Sequence, residues 1–413
     1  MNSSVVIADM VESRRQPGSV MAATVGFYFA LRYSTEYLFF QSDPRAGAAF
    51  SVGLNFFVFA VVLFHSLGPA KNTLRSTLKV PAFRPAAAFL LFALCSFAWS
   101  ATVSVPVAFA YWCGVAADLA MVVLLLRTGP VDLMSSSLMK GYVWGAGFIA
   151  LITWLSPTMP DLRPGNDDFF SPNAIALICT FGVFFAQYLS RAERQWNFAA
   201  ILLAITLLRT LSKTTIVAFV VAEAFLLMRD RAISRHKLLA ILVSSGLVLA
   251  AFWRLIQAYF EVYTTTGNEA ETLTGRVGIW DYVVEQSLEK PWIGHGFHSF
   301  RNVVPAFGDF EPWHAHNELL QLFYSYGIVG LLLFVVVYGS LYLQLHRLPR
   351  SSHKALFLGL LLFIAIRGLG DTDRFELTLP FWSIFLISSL LSMPQPAPVQ
   401  LPELSTPTKD GQS

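Results

Sequence analysis

The chain has 413 residues, 55% of them hydrophobic and only 13% charged, with a formal net charge of +3. A water-soluble domain of this length could not hide so much apolar surface in one core, so the composition excludes a soluble enzyme and points to a membrane protein. Nothing in that balance calls for a nucleic-acid partner.

In chain order, twelve apolar runs stand out, at 20–40, 47–69, 84–101, 104–126, 138–155, 170–189, 196–209, 213–228, 237–259, 318–345, 354–369 and 375–393. Several reach the length of about 20 residues with which a helix crosses roughly 30 Å of hydrocarbon while satisfying its own backbone. The expected fold is an all-α membrane protein of about twelve transmembrane helices. It is divided into an N-terminal tail (1–19), a polytopic domain (20–393) with one large periplasmic loop (260–317), and a disordered C-terminal tail (394–413) rich in proline and serine. Cys95, Cys113 and Cys179 fall inside apolar runs with no C-x-x-C spacing and read as core filler.

Basic loops resist translocation and stay cytoplasmic. With both termini inside, the inner segments hold 18 of the 29 lysines and arginines, which places the loop outside the cytoplasm, in the periplasm or its equivalent. Residues 1–19 are polar and carry no cleavable leader pattern.

The polar stretch Thr272–Tyr326 interrupts this pattern and holds four of the eight histidines, His295, His298, His314 and His316. Asn317 precedes the tenth run and Ser212 the eighth, each as a natural N-cap on the outer face. Helix N-termini carry unpaired N–H groups and partial positive charge, so two of them beside Arg209 and Lys213 form a phosphate site; simple capping is the competing reading. Arg276 can fork onto a diphosphate, with Trp280 on the same short helix; a solvated arginine is the bland alternative. In an extended segment His314 and His316 face the same way, and a neutral imidazole can take a proton from an attacking hydroxyl. The rivals are a metal on the four histidines with Asp309 and Glu311, against which the spacing speaks, and hydrogen bonding without chemistry. Arg367, Asp371, Asp373 and Arg374 form a charged turn between the last two runs that either orients these groups or is an internal salt-bridged turn.

These residues occur in a pattern: Ser212-Lys213-Thr214 near a helix start, Thr274-Gly275-Arg276 with Trp280, the run from Pro291 through Gly294 and Gly296 to Phe297, then His314-Ala315-His316-Asn317 with Gly327 and Gly330. The pattern resembles the O-antigen ligase and O-antigen polymerase superfamily, above all its exopolysaccharide polymerase branch, over about residues 205–332. The resemblance implies an inverting glycosyltransferase without metal or other cofactor. Its donor is a glycan on undecaprenyl diphosphate, used at the periplasmic face. His316, assisted by His314, would act on the acceptor hydroxyl. Arg276 and Lys213, with Arg209, would hold the diphosphate, and Asn317, Ser212, Trp280, Asp371 and Arg374 would bind or orient substrate. The family motif more often has arginine where Lys213 stands, so the fork comes from Arg209 or the phosphate is held as a point charge.

The expected function is therefore polymerisation of lipid-linked repeats into exopolysaccharide, with membrane lipids, chain-length regulators and export proteins as partners. The alternative is ligase-type transfer to lipid A core or protein. A rival of another class, a lipid-linked sugar flippase, needs charges through the bilayer middle, and the apolar runs hold few beyond Arg32, Glu36, Glu223 and Arg254.

Overall fold

The computed structural model describes residues 17–40, 44–68, 77–166, 170–229, 235–265, 273–307, 311–372 and 378–393. Both expected tails, apart from residues 17–19, and the acidic and basic residues Asp309, Asp373 and Arg374 lie outside the described residues. The helices are α1 (Pro17–Phe39), α2 (Pro44–Ser66), α3 (Phe83–Cys95), α4 (Val105–Thr128), α5 (Val131–Leu155), α6 (Pro172–Ser190), α7 (Trp196–Arg209), α8 (Lys213–Arg229), α9 (Arg235–Thr265), α10 (Leu273–Glu289), α11 (Glu318–Arg347), α12 (Ser352–Gly368) and α13 (Thr378–Leu391).

The chain is an all-α, multi-pass membrane protein, but the expectation of about twelve spans does not hold. Among the described residues, five helices are long and apolar enough to cross a bilayer: Ala46–Ser66, Val105–Thr128, Val131–Leu155, Pro172–Ser190 and Glu318–Arg347. The runs expected at 84–101, 196–209, 213–228, 354–369 and 375–393 fold into helices of 13, 14, 17, 17 and 14 residues. At about 1.5 Å per residue these fall short of a 30 Å core. The 23 residues of α1 are long enough but carry Arg32, Glu36 and several hydroxyls, and α9 is diluted by Arg235, His236, Lys237, Arg254 and Glu261.

A run of apolar residues marks a place away from water, which protein provides as well as lipid. Helix α13 shows this: Phe381, Trp382, Ile384, Phe385, Leu386 and Ile387 are all buried within the bundle. Trp382 packs on Phe29, Tyr142 and Phe185 with ring centroids 4.7, 5.9 and 6.1 Å apart. Arg32 of α1 is likewise satisfied inside the protein, its Nη1 donating to both carboxylate oxygens of Asp118 of α4 at 2.8 and 2.7 Å. Helices α1 and α5 meet backbone to backbone, since a Cβ at Gly141 would sit 1.8 Å from the Ala23 carbonyl oxygen and one at Gly26 1.9 Å from that of Leu138. Small residues permit that approach between helices in a membrane.

Helix α11 is broken at Gly327, whose φ of 63° and ψ of −162° interrupt the ladder. The break frees carbonyls and amides that must find partners, and the segment Pro291–Gly296 supplies them. His295 N donates to Tyr324 O (2.9 Å) and Gly296 N to Ser325 O (2.7 Å), while Ile328 N and Val329 N donate to the carbonyls of Pro291 (2.8 Å) and Trp292 (3.1 Å). From Ile328 to Arg347 the helix runs 20 residues, one bilayer crossing. The first segment, Glu318–Tyr326, thus turns independently toward the end of α12, where Gly368 lies against Glu318.

Candidate functional site

The last turn of α12 leaves the carbonyls of Leu369 and Gly370 without helical partners, as every helix C-terminus does. Three other segments come to them. Asn317 caps α11 by accepting from Leu319 N (3.0 Å) and Leu320 N (3.1 Å), and its Nδ2 donates to Leu369 O at 3.1 Å. Arg276 of α10 donates from Nη1 to Gly370 O at 2.8 Å, placing its charge where a C-terminal dipole favours a cation. Thr214, in the first turn of α8, donates to the same oxygen at 3.4 Å. The N-terminal turns of α8 and α11 and the start of α10 therefore converge on the turn Arg367–Thr372.

Asp371 in that turn accepts from Arg367 Nη2 (2.7 Å) and Thr372 N (3.0 Å), and lies 3.9 Å from His316 Nδ1. Burial alone would push its carboxyl up; Arg367 and the two histidines outweigh it and hold the group well below the usual carboxylate range. His314 and His316 meet with ring centroids 4.3 Å apart. Their segment is not simply extended, because His316 has φ 51°, a conformation a non-glycine residue adopts at a cost of order 1–3 kcal/mol and holds only when its surroundings insist. Here they do: Ala315, between the histidines, accepts from Trp280 Nε1 (2.8 Å) and donates to Gln321 Oε1 (2.9 Å), and His316 N donates to His314 Nδ1 (3.3 Å). Among the described residues, Arg276 Nε, Arg367 Nε and Thr372 Oγ1 are buried without hydrogen-bond partners. An unmet buried donor costs about 1–3 kcal/mol.

The other sequence-predicted residues are placed differently. Ser212 is buried, with its hydroxyl donating to Asn173 Oδ1 (2.7 Å) and lying 3.0 Å from Thr215 Oγ1. Lys213 sits 5.5 Å from the centre of the Tyr259 ring. Arg209 donates from Nη1 to Leu162 O at 3.0 Å. His295 bonds Gln286 O (2.9 Å) and stacks on Tyr324, and His298 stacks on Tyr111 with Thr102 Oγ1 3.4 Å from its Nδ1. The four histidines thus form one close pair at the turn of α12 and two members with their own partners elsewhere. Gln321 escaped the sequence reading, since nothing in a lone polar residue of an apolar helix announces its partner, and Thr214 was named only as part of the Ser212-Lys213-Thr214 motif, without the contact it makes. Arg367 was visible only as one charge in a salt-bridged turn, which is what it forms.

Comparison with known proteins bears on this region. Residues 198–335, which hold α8, α10 and the histidine pair, match the family model described as O-antigen ligase. That segment belongs to the O-antigen ligase family. A provisionally named polysaccharide ligase of Rickettsia conorii is 29% identical over 168 residues, covering 37% of this chain and 38% of the relative. A second, from Rickettsia felis, is 27% identical over 124 residues, covering 28% and 29%. The chain thus spans less than two fifths of the length of these relatives. The match to the O-antigen ligase family ends before the turn of α12, so Arg367 and Asp371 join the site through the fold. Both relatives carry a ligase name, which favours the ligase alternative over the exopolysaccharide polymerase expected from the sequence.

Proposed function

We propose that this protein is a membrane glycosyltransferase of ligase type, which moves a glycan from a polyprenyl diphosphate to an acceptor hydroxyl at the outer face of a bacterial inner membrane. The observation that carries the reading is the convergence of Arg276, the α8 N-terminus and the His316–Asp371 pair on one turn of α12.

The chemistry follows from that arrangement. The acceptor hydroxyl gives its proton to His316 Nε2, and its oxygen bonds to the anomeric carbon from the face opposite the leaving group. The bond from that carbon to the diphosphate oxygen breaks, and the electron pair leaves with the diphosphate, so the anomeric configuration inverts. Asp371, ionised and turned toward Nδ1, stabilises the imidazolium that forms. Arg276, with the N–H groups of the α8 first turn, faces the developing charge on the diphosphate, and Lys213 adds its charge from the start of the same helix. Fixed cations aimed at that charge lower the barrier without reorganisation.

The test is incubation of the purified full chain with a lipid-linked glycan and lipid A core as acceptor. Attachment of one glycan to the acceptor, lost in His316→Ala, supports the reading. Ladders of lengthening lipid-linked chains would instead indicate a polymerase, and unaltered donor with wild-type protein would refute transfer.

A further inference from the structure

We propose that His314, His316 and Asp371 form a zinc-binding site, and that zinc bound there inhibits the protein. One ligand-capable atom from each of the three side chains lies within 4.8 Å of the other two, and His316 Nδ1 is 3.9 Å from Asp371 Oδ1. Zinc bound at about 2.0–2.2 Å to nitrogen and oxygen needs its ligands roughly 3.4 Å apart, so side-chain shifts of up to about 0.7 Å per atom close the set. Two imidazoles and a carboxylate suit zinc and leave its fourth position open.

The surroundings resemble those of a built metal site. Arg367 Nη2 holds Asp371 Oδ2 and leaves Oδ1 facing the histidines, while Trp280 and Gln321 pin Ala315 from both sides and fix the spacing of the two rings. Such outer contacts orient ligands and raise affinity. Two features oppose tight binding. The charge of Arg367 beside the carboxylate repels a dication, and the 3.3 Å bond from His316 N to His314 Nδ1 is given up if that nitrogen binds the ion. Both make the site a reversible, inhibitory one. A metal on the pair occupies an imidazole lone pair and the carboxylate that supports it, so no acceptor proton is taken. This last step rests on the transfer reading above; the binding itself does not.

The experiment titrates metal-free full-length protein in detergent with cobalt(II), read by its visible d–d bands, then displaces cobalt with zinc. One ion per chain is expected, with affinity at least ~10-fold lower in His314→Gln and in Asp371→Asn and unaltered in His298→Gln. The His314→Gln variant is checked by thermal unfolding, so a folding defect in Asp371→Asn leaves the test intact. Absence of stoichiometric binding, or equal binding in His314→Gln, overturns the site. In the transfer assay zinc should suppress product and EDTA restore it; an active, zinc-loaded protein overturns the inhibition. Inactivity of metal-free protein would refute the transferase reading and leave the cobalt spectrum to decide the site.

Discussion

Gly294 and Gly327 face one another across the break in α11, each with φ of 63° and each closed in by the backbone of the other's segment where a side chain would sit. A Cβ at Gly294 would lie 2.5 Å from Tyr326 N, and one at Gly327 would lie 2.4 Å from the Trp292 carbonyl carbon. Both the left-handed backbone and the contact penalise any larger residue. Gly294→Ala should destabilise the protein by roughly 2–5 kcal/mol, from left-handed strain and overpacking together. A lowered midpoint of thermal unfolding in detergent checks this, and the same midpoint in variant and wild type would contradict the interlock.

The interlock explains how the histidine pair is delivered. It anchors Ile328–Arg347 as a span and lets Glu318–Tyr326 swing Asn317 onto Leu369, with His316 immediately before it. Positioned general bases contribute about 10²–10⁴-fold to rate, so His316→Ala should lower turnover by that factor while the protein inserts and unfolds as wild type does. Asp371→Asn keeps the shape but removes the charge behind Nδ1, and should cost less than loss of the base itself. Single-turnover transfer assays separate the two; near-wild-type rates in His316→Ala would remove it from the chemistry.

The position of Lys213 raises the question of which side chain supplies a fork to the leaving group. Arg209 donates to the Leu162 carbonyl, whereas Arg276 already reaches Gly370. Arg209→Lys should therefore change KM for the lipid-linked donor by less than about 5-fold, its contact being one bond of about 1 kcal/mol or less. Arg276→Lys loses the planar fork and should reduce kcat/KM by about 10- to 100-fold, since hydrogen bonds to charged groups are worth roughly 1.5–3 kcal/mol. The opposite ordering, measured by steady-state kinetics on the two variants, would shift the diphosphate toward Arg209.

Much of the site was legible because its residues are polar where the chain is otherwise apolar: His314, His316, Arg276 and Asn317 all announced themselves. Asp371 was visible as a charge, and its partner His316 lies 55 positions away, a pairing that only the fold creates. The helical class followed from composition, but the number of spans did not. The stretch Phe381–Ile387 is apolar because protein encloses it, as Trp382 shows, and hydropathy does not distinguish that enclosure from lipid. The glycines of Pro291–Phe297 gave only a weak turn signal, because the meaning of Gly294 lies at the Gly327 break, more than 30 residues further on, and that of Gly296 lies against Ser96 and Ser100.

His298 gives the pH dependence. Burial first and Arg301 second push its pKa down from 6.5 to about 4, so the folded protein holds a neutral ring where the unfolded chain would protonate. The contribution of the neutral ring is fully present above pH 6.5 and is lost as pH falls from 6.5 toward 4. One proton sets the steepest slope, about 1.4 kcal/mol per pH unit. Asparagine tolerates the φ of 55° found at this position and does not titrate, so His298→Asn isolates the effect. Between pH 7 and 5 the unfolding midpoint of the wild type should fall further than that of the variant, by thermal denaturation in matched buffers. Parallel curves would mean that His298 is protonated in the folded protein as readily as in the unfolded chain, and that its stacking on Tyr111 does not exclude the charge.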